Sequence, residues 1–278
     1  MNHTGTNNTL DRFSMAGRRA IVTGAAGLLG REFCGALADI GAEVFAFDRD
    51  EATLAALAEV VPVTPVHCDV TDEASVATAV AKVADGGRVG AFVASAAIDP
   101  KVGADGAVGD GASGFTSYPR AAWEQSLLVN LTGVFLTAQA VAEVMMNQDR
   151  GQGSGSIVTI ASTYGLAGPD QRLYVDDTGK RLGHKPIDYP TTKAGIIGFT
   201  RALAAECANT GVRVNALAPG GAFNGQDDGF VERYSERTMI GRMADPAEYR
   251  AAIAFLCSDA SSYMTGATLV VDGGWTAW

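Results

Sequence analysis

Residues 20–30 read Ala-Ile-Val-Thr-Gly-Ala-Ala-Gly-Leu-Leu-Gly, and their reading decides the fold. The β-branched run that closes on Thr23 passes directly into a loop carrying Gly24, Gly27 and Gly30, and then into an Ala/Leu-rich stretch of helical character. Strand, glycine turn and helix in that succession form the context a dinucleotide-binding loop requires. Glycines let the backbone turn tightly and approach a pyrophosphate, whose charge is met by unpaired N–H groups at the helix N-terminus. Gly24, Gly27, Leu29 and Gly30 are therefore candidate cofactor contacts. A tight turn without a ligand would use the same residues, so they count only through their context.

Outward from this loop, short β-branched runs alternate with Ala-rich helical stretches, the pattern of a parallel sheet covered by helices on both faces. Strands are expected over 20–23, 44–47, 63–67, 91–94, 157–161, 213–216 and 268–271. Helices are expected over 28–40, 50–60, 72–84, 120–148, 189–209 and 246–256. The fold class that follows is α/β, a Rossmann-type doubly wound parallel sheet of seven strands. Residues 13–278 are expected to form a single domain behind a flexible arm, 1–12. Three irregular connections, 98–117, 169–188 and 221–245, follow strand ends, where open α/β sheets bind ligands.

Asp48 closes the second strand, where a carboxylate can accept hydrogen bonds from the adenosine ribose. Such a carboxylate repels a 2′-phosphate, and Ala26 puts no cation in the glycine loop, so NAD is favoured over NADP. Arg49 is the counter-argument, since a guanidinium there could bind that phosphate. A solvated Asp capping the next helix would look the same.

The balance of charges narrows the partners. With 47% hydrophobic and 19% charged residues the chain is globular, and a formal charge of -10 opposes binding to nucleic acid or to anionic membranes. Cys34, Cys68, Cys207 and Cys257 stand singly, mostly in apolar stretches, as expected of buried thiols in a reducing compartment, the cytoplasm. The scattered His3, His67 and His184 give no metal-site spacing. The polar N-terminus has no apolar segment of a signal peptide. The long apolar stretch 127–146 carries Asn130, Gln139 and Glu143, which favours a buried helix over a membrane span.

Tyr189 and Lys193 stand four residues apart at the start of an Ala/Gly-rich helix, so both project from one face. At about 4 Å and an effective dielectric near 20, an ammonium stabilises a phenolate by roughly 4 kcal/mol, on the order of three pKa units. The phenol could then exchange a proton with a substrate alcohol or carbonyl near neutral pH as hydride moves. Ser162, just beyond the fifth strand, could hydrogen-bond the reacting oxygen. The spacing alone arises readily by chance, and Ser162 alone reads as a turn serine.

At these residues the sequence resembles the short-chain dehydrogenase/reductase family, in its shorter single-domain branch, over about 13–278. The resemblance is carried by Thr23-Gly24, Asp69-Val70, Asn130-Leu131-Thr132-Gly133, Ser162-Thr163-Tyr164-Gly165, Tyr189-Pro190-Thr191-Thr192-Lys193, Asn215 to Pro219-Gly220, and Val271-Asp272-Gly273-Gly274. It implies that Tyr189 is the acid/base and that Ser162 holds the substrate oxygen. Lys193 would lower the Tyr189 pKa and bind the nicotinamide ribose, and Asn130 would hold a water in a proton relay. Asp69 and Val70 would flank the adenine, with Ser95 and Ala96 beside the cofactor. Pro219, Gly220 and Ala222 would lie along the nicotinamide, and Asn224 would stand where a threonine often touches the pyrophosphate. The substrate would be a small secondary alcohol or ketone; the helices over 120–148 and 189–209 would build one interface and the last strand with the C-terminal tail a second, giving a homotetramer.

The chain also departs from the family pattern. Its glycine spacing follows the longer, sugar-nucleotide-modifying branch. Ala94-Ser95-Ala96-Ala97 replaces the usual Asn-Asn-Ala-Gly, so Ser95 would have to supply the bracing hydrogen bonds. Between Ser162 and Tyr189 lies an insertion in which Gln171, Arg172, Tyr174, Lys180, Arg181, His184 and Lys185 form a mostly basic cluster. An acidic or phosphorylated substrate would suit it, as would the ordinary polarity of an exposed insertion. Residues 97–101 with Asp170-Gln171-Arg172 are similar to members found near carbohydrate pathways, so a sugar or sugar acid is expected. A sugar-nucleotide epimerase or dehydratase with bound NAD, and a non-catalytic NAD-binding protein, are the alternatives.

Overall fold

Each β-branched run becomes a strand in the computed structural model, which describes residues 8–99, 114–148 and 155–278. The strands are β1 (Arg19–Thr23), β2 (Glu43–Asp48), β3 (Val63–His67), β4 (Val89–Ala94), β5 (Gly155–Ile160), β6 (Val212–Pro219) and β7 (Thr268–Val271). They form one parallel sheet in the order β3-β2-β1-β4-β5-β6-β7. The strand order reverses between β1 and β4, which opens a crevice at their carboxyl ends. Thr23 pairs with Phe47 of β2 and Ala94 of β4, so the glycine loop leaves the sheet beside the ends of both neighbours.

The helices are α1 (Leu28–Asp39), α2 (Glu51–Ala58), α3 (Glu73–Ala84), α4 (Arg120–Leu127), α5 (Gly133–Asn147), α6 (Thr163–Leu166), α7 (Asp188–Glu206), α8 (Asp228–Glu236) and α9 (Arg250–Cys257). Alternation along the strands divides the core between two layers. Ile21, Phe45 and Phe47 face α3, α5 and α7, whereas Ala20, Val22, Val44 and Ala46 face α1, α2 and α9. The span Arg120–Asn147 is long and apolar enough to cross a membrane by length and composition, yet it lies on the sheet with Val134, Ala138, Val141, Ala142 and Met145 in the core.

The structure revises several expectations. The helix expected over 120–148 runs over Arg120–Asn147, with a π-helical turn, Leu128–Thr132, joining α4 to α5. The one expected over 246–256 begins as a 3-10 turn, Pro246–Tyr249, with a capping box between Asp245 and Glu248. The connection 169–188 is folded: a 3-10 turn, Gln171–Tyr174, capped by Asp170, is followed by a bridge between Val175 and Arg181. Most of the connection 98–117 lies outside the described residues. Within the arm, Thr9–Phe13 forms a 3-10 turn, and Arg12 donates to the Asp259 carbonyl and the Ser262 hydroxyl.

Arg213 on β6 fixes the path of the chain into β7. Its buried guanidinium donates to the carbonyls of Leu256, Ser258 and Met264 and to the Ser261 hydroxyl. No carboxylate among the described residues bonds it directly, and burial lowers its pKa. Arg213→Met removes several charge-assisted hydrogen bonds and leaves carbonyls unpaired. It is expected to lower unfolding stability by about 3 kcal/mol, read as a fall in the urea midpoint. A midpoint equal to wild type would refute the clamp.

Candidate active site

The glycine loop is shaped for a ligand that needs close backbone approach. Gly24 takes φ +63°, and a Cβ there would lie 2.7 Å from the Ala96 Cα. A Cβ on Gly30 would lie 2.1 Å from the Gly24 carbonyl oxygen. Only glycine lets the loop, the start of α1 and the end of β4 meet so closely. The N-cap of α1 is Gly27, which has no side chain to bond the first-turn N–H groups. Helix geometry therefore leaves the amides of Leu28, Leu29 and Gly30 without intrahelical acceptors, and they fit an anionic pyrophosphate.

The adenosine end fits as well. Asp48, at the end of β2, accepts from the Ala26 amide at 3.1 Å, which holds its carboxylate beside the loop. Arg49 is exposed. Asp69 accepts from the amide and hydroxyl of Thr71, and these bonds hold its carboxyl below the usual range. Val70 is buried, packed where a Cβ on Gly133 would come within 2.8 Å of it. The bracing expected of Ser95 falls to another residue. The Thr23 hydroxyl accepts from the amides of Ser95 and Ala96, at 3.1 and 3.3 Å.

The acid/base candidates gather at the carboxyl ends of β4 and β5. Asn130 sits buried within the π turn, accepts from the Ile98 amide at 2.8 Å and donates to the Ile98 carbonyl and the Thr192 hydroxyl. The turn thus aims one side chain at both the strand-end segment and α7. Ser162 is the N-cap of α6 and accepts from the Tyr164 amide at 3.1 Å. Its hydroxyl lies near the Tyr189 phenol and favours its ionisation. Lys193 is buried and donates to the Ile160 carbonyl at 2.7 Å.

The expected phenol–ammonium pairing is corrected in one respect. The Lys193 Nζ lies 5.6 Å from the Tyr189 ring centroid and is bonded to a carbonyl. Tyr189 is half-buried. Burial, with Asp99 nearby, pushes the phenol above its ordinary range, and Ser162 opposes this. Burial also pushes the Lys193 ammonium down to about 8.

The remaining predicted positions lie along β6 and beyond. The Pro219 carbonyl accepts from the Thr163 hydroxyl, and the Gly220 carbonyl accepts from the Tyr249 hydroxyl. Ala222 bridges to Ala244. Asn224 is exposed, its amide donating to Gln226.

The basic cluster of the insertion does not survive as a cluster. Arg172 is exposed and bonded to Asp170, while Lys180 and Arg181 are exposed around the Asp176–Gly179 turn. Lys185 is buried, pairs with Asp99, and places its Nζ 4.3 Å from the Tyr189 ring centroid. Beside it, Leu173, Tyr234, Met243 and Trp275 form a separate apolar cluster that also takes in Tyr164 and Tyr174. Tyr164 belongs to the Ser162–Gly165 motif, and Tyr174 and Lys185 to the expected basic cluster, whereas Leu173, Tyr234, Met243 and Trp275 carry no signal in the sequence.

Comparison with known proteins sets this geometry in context. A family model described as enoyl-(acyl carrier protein) reductase matches residues 24–276. A crystal structure of a short-chain type dehydrogenase/reductase from Mycobacterium marinum superposes with a TM-score of 0.82 at 31% identity, covering 98% of this chain and 100% of that one. The chain belongs to the short-chain dehydrogenase/reductase family. It is an oxidoreductase of the family's nicotinamide-nucleotide-dependent kind. Galactitol 2-dehydrogenase (L-tagatose-forming) from Cereibacter sphaeroides is 34% identical, over 96% of this chain and 98% of that protein. A gluconate 5-dehydrogenase from Burkholderia cenocepacia, in complex with NADP and tartrate, superposes with a TM-score of 0.81 at 29% identity, covering 98% of this chain and 100% of that one.

In the cofactor-free protein, burial and Asp99 both disfavour the phenolate of Tyr189, so this residue is expected to stay protonated up to at least about pH 10. A tyrosinate absorbance titration of wild type against Tyr189→Phe measures this. A phenol lost in the variant that titrates near neutrality in wild type would contradict it.

Proposed function

We propose that this dehydrogenase/reductase uses NAD to interconvert a secondary alcohol and a ketone on a sugar or polyol, with Tyr189 as the acid/base. The carrying observation is the half-buried Tyr189 beside Ser162, with Lys193 pinned to the Ile160 carbonyl and its Nζ 5.6 Å from the Tyr189 ring centroid. In this reading Ser162 holds the substrate oxygen against Tyr189 Oη. The phenol accepts the carbinol proton in oxidation and returns it in reduction. A bound NAD would supply the hydride acceptor for the carbinol carbon, and the positive charge of its oxidised ring would favour the Tyr189 phenolate. Lys193 adds a second positive charge on the same side and offers its remaining N–H groups to the ribose. Asn130 orders the π turn and the neighbouring Thr192 for the proton's route outward.

NAD is preferred on the strength of Asp48, whose carboxylate, fixed beside the glycine loop, suits ribose hydroxyls and repels a 2′-phosphate. Gly24, Gly27, Leu29 and Gly30 would hold the pyrophosphate, Asp69, Val70, Ser95 and Ala96 the adenosine side, and Pro219, Gly220, Ala222 and Asn224 the nicotinamide side. The four free, buried cysteines support a reducing cytoplasm.

One assay series tests the chemistry by following nicotinamide absorbance over a panel of polyols and secondary alcohols. Wild type is expected to favour NAD. Tyr189→Phe is expected to lose at least about a hundredfold in kcat while still binding NAD. Asp48→Ser is expected to shift the NAD/NADP ratio of kcat/KM at least about tenfold toward NADP. Undiminished turnover by Tyr189→Phe would end the proposal.

The assembly is proposed to be a homotetramer. On the α4–α5 span Leu128 and Phe135 are 39% and 46% exposed, and at the last strand and tail Val270 and Trp278 are 41% and 67% exposed. Two such apolar patches suit two two-fold interfaces. Light scattering is expected to give four times the protomer mass, and a monomer mass at micromolar concentration would refute it.

A further inference from the structure

We propose that Lys185 and Asp99 form a hydroxyl-recognition pair in the substrate site, one that selects neutral polyhydroxylated alcohols over acids. This inference rests on the dehydrogenase reading above. The Lys185 Nζ lies 4.3 Å from the Tyr189 ring centroid and 5.6 Å from that of Tyr164. A carbinol held at the Tyr189 hydroxyl therefore has the neighbouring carbons of its chain within reach of this ammonium.

The pair is built into the fold. The Lys185 side chain is 8% exposed and bonds Asp99, which comes from the segment after β4. The backbone of Lys185 is gripped from both sides by one amide. Gln171 Nε2 donates to the Lys185 carbonyl at 2.9 Å, and the Lys185 amide donates to Gln171 Oε1 at 3.0 Å. A lysine held by backbone, carboxylate and two aromatic faces is not an ordinary solvated surface cation.

Donor and acceptor capacity indicates what it recognises. An ammonium has three N–H donors, and one bonds Asp99 Oδ1. Asp99 keeps its other oxygen as an acceptor, on a side chain that is 48% exposed. The two residues thus offer a donor beside an acceptor, which matches hydroxyl groups, each of which accepts and donates. Their net charge is zero. A substrate carboxylate would have to displace Asp99 from its cation or lie against it, at the cost of like-charge repulsion. The other cations of the insertion do not make up the difference: Arg172 is exposed and bonded to Asp170, Lys180 and Arg181 are exposed around the Asp176–Gly179 turn, and burial lowers the His184 pKa.

The test compares kcat/KM for galactitol, for gluconate as a sugar acid, and for cyclohexanol as an alcohol with no second hydroxyl. Wild type is expected to favour galactitol over gluconate at least about tenfold. In Lys185→Met and in Asp99→Asn, kcat/KM for galactitol is expected to fall about tenfold more than for cyclohexanol, chiefly through KM. Fluorescence titration with NADH shows whether each variant keeps a folded cofactor site. If Lys185→Met does not, Asp99→Asn carries the comparison. A wild-type preference for gluconate, or equal losses on galactitol and cyclohexanol in the folded variants, overturns the inference while leaving the dehydrogenase reading intact. A wild type that oxidises none of the three with NAD or NADP instead refutes the underlying reading.

Discussion

The hydrogen bond from the Lys193 ammonium to the Ile160 carbonyl is the contact on which the site depends. An ammonium removed from water must be met by an acceptor, and the end of β5 supplies one. That bond fixes α7 against the strand end. Tyr189 lies one helical turn before Lys193, and Ser162 lies two residues beyond Ile160. A single contact therefore sets the phenol of one element against the hydroxyl of the other. Gly165 tightens the same junction, since a Cβ there would lie 2.6 Å from the Lys193 carbonyl oxygen.

The local pattern of residues revealed the sheet with little error. Buried parallel strands need compact β-branched runs, and all seven runs became strands, with ends displaced by at most a few residues. The same logic failed where structure is shorter than a period. The four residues of α6 are too few to show helical spacing, and α8 and the fold of the insertion were read as irregular. The π turn was hidden because residues 128–132 have the apolar composition of the helix around them.

In the site, the glycine loop and the four-residue spacing of Tyr189 and Lys193 were legible because their chemistry is local. The pairing of Lys185 was not, because Asp99 is 86 residues away in sequence and only the fold brings them together. Seen in sequence, Lys185 joins a group of cations that suits either an anionic substrate or the ordinary polarity of an exposed insertion. Seen in space, those cations divide between neutralised pairs and an exposed turn. The bracing role assigned to Ser95 likewise passed to Thr23, whose hydroxyl reaches across from β1 to the end of β4.

The grip of Gln171 on the backbone of Lys185 has a mechanical consequence. Gln171 begins the short turn that contains Leu173, and Arg233 of α8 donates to the Leu173 carbonyl at 2.9 Å. Tyr174 and Phe230 join the same two segments through their rings, with centroids 5.6 Å apart. Load applied to α8 is therefore passed through the insertion to the lysine over the tyrosine ring. Whatever swings that helix outward would carry the ammonium with it, so unloading a product and loosening the hold on its hydroxyls would be one movement.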